Sequence, residues 1–396
     1  MKSTTVADIS QCLLNKARTE QFAGYDPFDG LNSSWFKRLP ISKDSTFGLA
    51  WIQLFKRSPI NLRPWLGVPK ARNPKGVALF ILGLIEEYQV TKDPALLTEA
   101  EQLAQWLVTQ RCDEQIWHGA CWGYHFDWKA RAFFVPKGKP NVITTVYVSR
   151  ALHQLGQLTG RADWVDLALR SGDFIAGHLL TQNESGEFFA YIPGETAFVH
   201  NASLWAAAWL AVVGRETSCP DYTELALRIA HNSAQAQAAD GSWAYGTRHH
   251  HGFIDGFHTG YNLEALHLIR TTLATNEFDE VIARGFHFYK QHLFEADGTA
   301  KYYHNNPYPL DPHSVSQAII TLLSVGGEES DVDLVQRVIQ RAIQTLYMPE
   351  REQFVYQRNK RWVNRIHYAR WTHAWMYFSF RFYLRMTNEL RMTNEE

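Results

Sequence analysis

The chain of 396 residues lacks the marks of several protein classes. It contains only 4 cysteines, at positions 12, 112, 121 and 219, and no two of them form a CxxC pair. Such scattered cysteines indicate free thiols in a reducing compartment, so we expect a cytoplasmic protein. Only 15 residues are proline, 45% are hydrophobic and 20% are charged. This composition excludes a disordered, collagen-like or coiled-coil chain and predicts a globular protein.

The chain also lacks an excess of charge and a long apolar run. Lys plus Arg number 39 against 40 for Asp plus Glu, so the net charge is -1 and no global field attracts nucleic acid. The longest nearly apolar stretch, residues 202–213, is shorter than the roughly 20 residues that a spanning helix needs. Residues 1–21 are amphipathic and lack the apolar core of a signal peptide. We therefore expect no nucleic-acid partner, no membrane span and no signal peptide, while the oligomeric state stays open.

Several catalytic motifs are missing as well. The sequence has no GxGxxG, no GxxxxGK[ST] and no GxSxG, so nucleotide-binding α/β folds and α/β-hydrolases have no support. The DxDD and DDxxD motifs of terpene cyclases are also absent, which leaves an isoprenoid cyclase-like enzyme as a minor alternative. No cofactor is predicted. Adjacent histidines in residues 248–251 have no acid or cysteine at ligand spacing, so no metal site is predicted either.

Aromatic residues are abundant, and they mark a repeat. The chain has 14 Trp, 17 Tyr and 23 Phe. Short aromatic segments at 122–127, 187–191, 241–245, 301–303 and 353–356 each precede a long apolar helix. These inner helices start at residues 141, 201, 257, 313 and 368, at spacings of 60, 56, 56 and 55 residues. Such regular self-similarity is typical of a repeat architecture.

Amphipathic helices with one charged face alternate with the apolar ones. They are predicted at 94–111, 162–180, 221–238, 277–293 and 331–347. A sixth inner helix at 74–88 precedes the series, and the N-terminal helix or residues 46–56 would complete the outer ring. The pattern predicts an all-α fold, an (α/α)6 toroid with short aromatic β-segments at one mouth. We expect one domain over 1–384, followed by a frayed polar tail over 385–396, which repeats RMTNE.

Histidines stand near the start of four predicted inner helices. They are His200, His258, His313 and His373, spaced by 58, 55 and 60 residues. Imidazoles change charge near neutral pH, so a ring of them at the mouth points to acid–base chemistry. Asp255 precedes His258 by three residues, and Asp311 precedes His313 by two. Each aspartate is either a helix N-cap, an orienting partner of the imidazole, or an acid or base itself.

These segments supply the candidate site. The catalytic candidates are Asp255, His258, Asp311, His313 and His373. The candidates for substrate binding are Trp122, Tyr124, Asp127, Arg131, His200, Trp243, Tyr245, Tyr261, Tyr303, His304, Gln317, Arg370 and Trp371. A further loop carries Asp26 and Asp29, which serve either ordinary turns or a cover over the mouth.

Four segments resemble the VpsJ-type proteins of bacterial exopolysaccharide-biosynthesis clusters, within the six-hairpin glycosidase-like superfamily. They are GYDPFDGLNS at 24–33, NLRPWLGVPKARNPKGVALF at 61–80, GSWAYG with IDGFHTGYNLE at 241–264, and YPLDPHSVSQAI at 308–319. The resemblance implies carbohydrate chemistry or a structural part in polysaccharide assembly. FHTGYNLEALHLI is also similar to the inner-helix motif of N-acylglucosamine 2-epimerases, although Tyr261 stands where that motif has its second histidine.

Three hypotheses follow for function. A glycoside hydrolase-like enzyme would use two carboxyls, with Asp255 and Asp311 as the pair and Asp127 as a substitute. A uronic-acid or amino-sugar epimerase or lyase would use His258 or His373 as base. The third hypothesis is a non-catalytic saccharide-binding or assembly protein.

The second hypothesis needs two further groups. Tyr245 or Tyr303 would return the proton, and an arginine would hold a substrate carboxylate. The candidate arginines are Arg63, Arg131 and Arg370. Geometry separates the first two hypotheses, because facing carboxyls about 5–10 Å apart favour hydrolysis. Facing imidazoles beside carboxylates that serve as caps favour proton transfer at carbon.

Overall fold

A computed structural model describes residues 5–129 and 134–395 of the chain. Its helices are α1 (Val6–Thr19), α2 (Thr46–Arg57), α3 (Pro74–Thr91), α4 (Pro94–Thr109), α5 (Glu114–Trp117), α6 (Val142–Thr159), α7 (Ala162–Leu169), α8 (Ser171–Phe174), α9 (His200–Glu216), α10 (Pro220–Gln235), α11 (Gly256–Leu273), α12 (Asp279–His292), α13 (Pro312–Thr321), α14 (Glu329–Leu346) and α15 (Trp375–Glu395). Within these described ranges, no helix combines the length and the apolar content needed to cross a bilayer.

Six helices form a closed inner ring. In order they are α3, α6, α9, α11, α13 and α15; each packs on the next, and α15 packs back on α3. Helices α1, α4, α7, α10, α12 and α14 lie outside this ring, each against an inner helix. This arrangement confirms the predicted (α/α)6 toroid. Of the two candidates for the last outer position, α1 takes it, whereas α2 packs on the loops of the mouth around residues 29–32.

Four of the six inner helices, α3, α6, α11 and α13, begin at polar caps. The side chains of Asn73 and Asn141 accept the backbone N–H groups of Gly76 and Thr144, at 3.2 and 2.9 Å. Asp255 and Asp311 cap α11 and α13 in the same way. Because the first backbone N–H groups of a helix have no partner within it, these side chains fix where each inner helix starts.

Short antiparallel strand pairs occur in the connections between the helices. They are β1 (Ala23–Gly24) with β2 (Ala71–Arg72), β3 (Trp128–Lys129) with β4 (Phe134–Val135), β5 (Leu180–Asn183) with β6 (Gly186–Phe189), β7 (Tyr347–Met348) with β8 (Gln353–Phe354), and β9 (Gln357–Arg358) with β10 (Val363–Asn364). The predicted aromatic segments at 187–191 and 353–356 contain β6 and the strand β8. The segments at 122–127 and 301–303 form only single bridges. The segment at 241–245 forms no strand, and the backbone of Tyr245 bonds to Phe253 and to His200.

Buried polar pairs close the ring between its first and last helices. Glu87 of α3 accepts a hydrogen bond from Tyr377 Oη at 2.8 Å and forms an ion pair with Arg381 Nη2 at 3.0 Å. Glu86 pairs with Arg385, one turn further along α15. Helix α15 continues to Glu395, and Arg385, the first residue of the predicted tail, pairs with Glu86; the domain boundary at 384 stays a prediction.

Because Glu87 joins the first and last inner helices, we predict a large loss of stability when its side chain is removed. Glu87→Ala leaves the Arg381 guanidinium buried without its counter-charge, so the free energy of unfolding should fall by about 3 kcal/mol. Denaturant titration measures this loss. As a control, Arg228→Ala removes the exposed Arg228–Glu187 pair and should not measurably shift the midpoint. Equal midpoints for Glu87→Ala and wild type would contradict the proposed role of this contact.

Candidate active site

A cavity of about 190 Å³ lies where the six inner helices begin. Its wall takes side chains from the first turns of α3, α6, α9, α11 and α13 and from residues just before α15, so these starts converge at one mouth. The lining residues are Phe28, Lys75, Tyr124, Phe126, Trp128, Ile143, Tyr191, Asn201, Tyr245, Phe257, His258, Tyr261, Tyr302, His313, Arg370 and Trp371. No carboxylate from the described residues stands on this wall.

Asp255 and His258 form an oriented pair at the edge of the cavity. One oxygen of Asp255 accepts the backbone N–H of His258 at 2.8 Å, and the other contacts His258 Nδ1 at 2.7 Å. Because the carboxylate accepts, the neutral form of this imidazole carries its proton on Nδ1 and its lone pair on Nε2. Nε2 has no hydrogen-bond partner among the described residues. The pair therefore presents an unprotonated imidazole nitrogen at a cavity wall.

Asp311 is a buried cap whose oxygens are both engaged. It accepts from His313 N at 2.8 Å, from Gln357 Nε2 at 2.7 Å and from Trp371 Nε1 at 3.2 Å. Burial raises its pKa from the ordinary value to about 6, although the hydrogen bonds oppose this shift. The predicted carboxyl pair thus consists of two helix caps, neither of which lines the cavity.

His313 meets Tyr261 across two neighbouring inner helices. Its Nε2 lies 2.5 Å from Tyr261 Oη, and its Nδ1 is buried with no hydrogen-bond partner. Burial lowers the pKa of His313 well below its ordinary value, and the charges of Lys75 and Arg370 lower it further. Burial likewise raises the pKa of Tyr261 well above its ordinary value. The pair is therefore neutral and shares one proton position between hydroxyl and imidazole.

Two cationic side chains complete the polar part of the wall. Arg370 donates from Nε and Nη2 to both oxygens of buried Asp26, at 2.6 and 2.9 Å. Lys75 was missed by the sequence reasoning; it lies in the first turn of α3 and is only 3% exposed. The available signal was a single charged residue in the otherwise uncharged stretch 74–85, which forms the first three turns of α3.

Aromatic rings form the remainder of the wall. Tyr124 stacks on Phe126 at 5.2 Å between ring centroids, and its hydroxyl lies 2.8 Å from that of Tyr191. Tyr245 stacks on Phe253 and contacts the ring of His258 at 4.5 Å. Flat apolar faces beside a few fixed polar groups are typical of small-molecule sites.

Several predicted residues lie away from this cavity. His200 is buried against Phe198, and His373 is buried between His367 and the carbonyl oxygen of Leu13. The indole N–H groups of the other outlying candidates, Trp122 and Trp243, donate to backbone carbonyls in the core at 2.8 and 2.9 Å. Of the four histidines predicted at equivalent positions, His258 and His313 therefore line the cavity, whereas His200 and His373 do not.

The remaining candidates surround the cavity without lining it. Tyr303 bridges Asp255 through its backbone, His304 bonds the carbonyl of Ile254, and Gln317 donates to Glu264. Asp127 pairs with Lys43 in a separate cleft of about 700 Å³ that shares Tyr124 and Phe126 with the cavity. Arg131 lies outside the described residues. Among the residues that are described, no cluster of His, Cys, Asp and Glu has the arrangement of a metal site.

The loop with Asp26 and Asp29 covers the mouth through buried ion pairs. Asp29 contacts Arg63 Nε at 2.7 Å, and Arg63 also donates to Tyr368 Oη and to the carbonyl of Asp26. Phe28, between the two aspartates, lines the cavity. Arg63 thus holds this loop in place, and its hydrogen-bonding groups are occupied rather than available to a substrate.

The chain shares its fold with carbohydrate enzymes of known structure. It resembles a cellobiose 2-epimerase from Bacillus thermoamylovorans B4167 at 12% identity and a TM-score of 0.59, over 79% of this chain and 88% of that one. It also resembles the unsaturated glucuronyl hydrolase from Bacillus sp. GL1 at 12% identity and a TM-score of 0.61, over 98% and 97%. A GH76 alpha-mannanase from Bacteroides thetaiotaomicron matches at 10% identity and 0.60, over 81% and 88%.

These structural neighbours belong to the six-hairpin glycosidase-like superfamily, and at such identities the likeness is one of fold. No protein-family model and no curated protein sequence matches the chain.

Two histidines are buried outside the cavity, and we therefore predict that the free energy of unfolding falls at acid pH. Burial lowers the pKa of His200 to about 4 and that of His373 to about 3. The unfolded chain binds their protons below about pH 6.5, so stability is full above that pH and is lost as pH falls toward 4. Each group contributes a slope of about 1.4 kcal/mol per pH unit.

Denaturant titrations at several pH values between 7 and 4 measure this slope. His200→Gln should make it shallower, whereas His249→Gln at an exposed position should leave it unchanged. A slope that His200→Gln does not alter would mean that His200 is not held neutral by burial.

Proposed function

We propose that this protein is a carbohydrate-active enzyme that moves a proton at a sugar carbon, as an epimerase or a lyase does, with His258 as the general base. One observation carries the proposal. The cavity wall presents Nε2 of an imidazole that Asp255 orients, while the carboxylates expected to perform hydrolysis serve as helix caps. A substrate C–H bond next to a carbonyl or carboxylate group would lose its proton to Nε2 of His258.

The second proton position lies next to the first. Tyr261 stands one helical turn after His258 on α11, and their ring centroids are 6.1 Å apart. In the proposed reaction the electron pair of the C–H bond moves onto the substrate oxygen, and Tyr261 Oη returns a proton to carbon in an epimerase. The transfer leaves Tyr261 as the phenolate and His258 as the imidazolium, and proton exchange with solvent after product release restores both. His313, whose Nε2 lies 2.5 Å from Tyr261 Oη, positions the hydroxyl. This pair takes the place of the second histidine of the epimerase-like motif.

The cavity wall carries cationic side chains that can stabilise the negative charge formed when the proton is removed. Removing a proton beside a carbonyl places negative charge on oxygen, and fixed cations in a site closed to water stabilise that charge. Lys75 and Arg370 are the cations on the wall. The shared fold with a cellobiose epimerase and with glycosidases supports a saccharide as the substrate. The VpsJ-type resemblance, the link to polysaccharide biosynthesis and the cytoplasmic location stay predictions.

Hydrolysis is the second candidate, since two structural neighbours are hydrolases. Asp311, with a pKa near 6, would be its acid. It would have to leave its place as the cap of α13 to reach a substrate, because both its oxygens are bonded there. Non-catalytic binding is the third candidate, and the experiments below separate all three.

The proposal predicts exchange of a substrate proton with solvent. Uronic acids, hexoses, N-acetylhexosamines and short disaccharides would be incubated with the protein in D2O, and NMR would report deuterium at carbon. His258→Asn removes the base and should slow exchange by about 1000-fold. His249→Gln, at an exposed histidine, is the matched control and should exchange as wild type does.

Two other results would contradict proton transfer. Cleavage of a disaccharide without deuterium at carbon would favour hydrolysis, and a saccharide that binds but returns unchanged would favour binding alone.

The two caps predict opposite effects of the same substitution. Asparagine caps a helix about as well as aspartate, so Asp255→Asn and Asp311→Asn should both leave the melting temperature close to that of wild type. Asp255→Asn removes the carboxylate that fixes the tautomer of His258, so exchange should fall by about 100-fold or more. Asp311→Asn should leave exchange within about threefold of wild type. Loss of turnover in Asp311→Asn alone would support the hydrolase candidate instead.

A further inference from the structure

Lys75 has an unusual setting for a lysine. It lies in the first turn of α3, it is buried, and it lines the cavity. Its Nζ stands over the rings of Tyr147, Trp375 and Tyr261, at 4.4, 5.1 and 5.7 Å from their centroids. Among the described residues, no carboxylate comes within ion-pair distance of this ammonium group. Lys75 is therefore held by aromatic faces and lacks a counter-charge.

A buried ammonium group without a counter-ion is costly, and aromatic faces offset only part of that cost. Burial lowers the pKa of Lys75 well below its ordinary value, and the neighbouring charge of Arg370 lowers it further. A bound anion would oppose both effects, because it supplies the missing counter-charge inside the cavity.

Arg370 lines the same cavity as Lys75, and the chain segments that carry the two residues come close together. A Cβ atom on Gly76, the residue after Lys75, would lie only 3.2 Å from Cβ of Arg370. The two hydrogen bonds to Asp26 engage Nε and Nη2 of Arg370, and Nη1 has no hydrogen-bond partner among the described residues. The short contact between α3 and the residues before α15 thus brings both residues to the same wall, where the charge of Arg370 acts on Lys75.

When Lys75 is protonated, the wall carries one positive charge that has no counter-charge. Asp26 neutralises Arg370, and nothing on the wall neutralises Lys75. A ligand with one negative charge would neutralise Lys75. A neutral sugar would leave the ammonium group without a counter-charge, and a phosphate dianion would bring one negative charge too many. A planar carboxylate also matches two neighbouring N–H donors.

We propose that Lys75, together with Nη1 of Arg370, binds a carboxylate of the substrate and selects acidic saccharides over neutral ones. The substrate class is then a sugar acid such as a uronate, and Lys75 determines specificity. This inference rests on the proposed function only for the identity of the ligand as a saccharide. In that reaction, the acidic C–H bond would be the one on the carbon that carries the carboxylate.

Binding measured by calorimetry tests the inference separately from turnover. D-glucuronate would be compared with D-glucuronamide, which has nearly the same shape and no charge, with D-glucose and with glucose 6-phosphate. Wild type should bind glucuronate about 10- to 100-fold more tightly than glucuronamide, as expected of a hydrogen bond to a charged group. Lys75→Met should abolish this preference, and Lys75→Arg should retain most of it because the charge remains.

Controls keep the outcome clear. Lys360→Met, at an exposed position, should bind like wild type. Lys75→Gln is a second neutral variant should Lys75→Met fail to fold, and the melting temperature of each variant verifies folding.

Four results would overturn the inference: equal binding of glucuronate and glucuronamide, a preference that survives in Lys75→Met, tighter binding of the phosphate, or no binding of any sugar acid. Lys75-dependent binding without deuterium exchange would contradict the proposed function alone. Exchange on neutral sugars that depends on His258 but not on Lys75 would contradict this inference alone.

Discussion

The capping of the inner helices is the constraint on which the site depends. Each helix that starts at the mouth presents backbone N–H groups that need partners, and at α3, α6, α11 and α13 a polar side chain one residue ahead supplies one. Asp255 and Asp311 meet this need with their own oxygens. The carboxylates are therefore fixed at the rim by the fold. Chemistry at the cavity falls to the residues that follow the caps, His258 foremost, because its imidazole is oriented by the same carboxylate that starts the helix.

The aromatic content has a physical explanation in the same mouth. Rings line the cavity, separate it from the neighbouring cleft and surround the ammonium group of Lys75. The loop over the mouth is held by buried pairs of Asp26 with Arg370 and of Asp29 with Arg63. The pair of Asp26 with Arg370 ties the N-terminal loop to the last repeat, and Arg63 joins it to Tyr368. The contacts that hold the loop thus also place Arg370 at the wall.

The toroid was predictable because inner helices must be apolar all round and must recur at a fixed spacing. The aspartates before α11 and α13 could be read as caps for the same local reason. The spacing predicted how far along its helix each histidine lies. It did not predict on which side of the helix the side chain projects, because each successive residue is rotated by about 100° about the helix axis. His258 lies three residues after its cap, whereas His200 lies one after and His373 five after. Lys75 was missed because its partners come from distant repeats.

The tautomer of His258 tests the account most directly. Long-range 1H–15N correlation spectra of protein labelled at histidine nitrogens, recorded near pH 8, distinguish a protonated Nδ1 from a protonated Nε2, and the spectrum of His258→Asn assigns the signal. The account predicts a single tautomer with the proton on Nδ1 and a free Nε2, because Asp255 accepts from Nδ1. A proton on Nε2, or an average of both tautomers, would mean that the cap does not orient the base and would contradict the central claim.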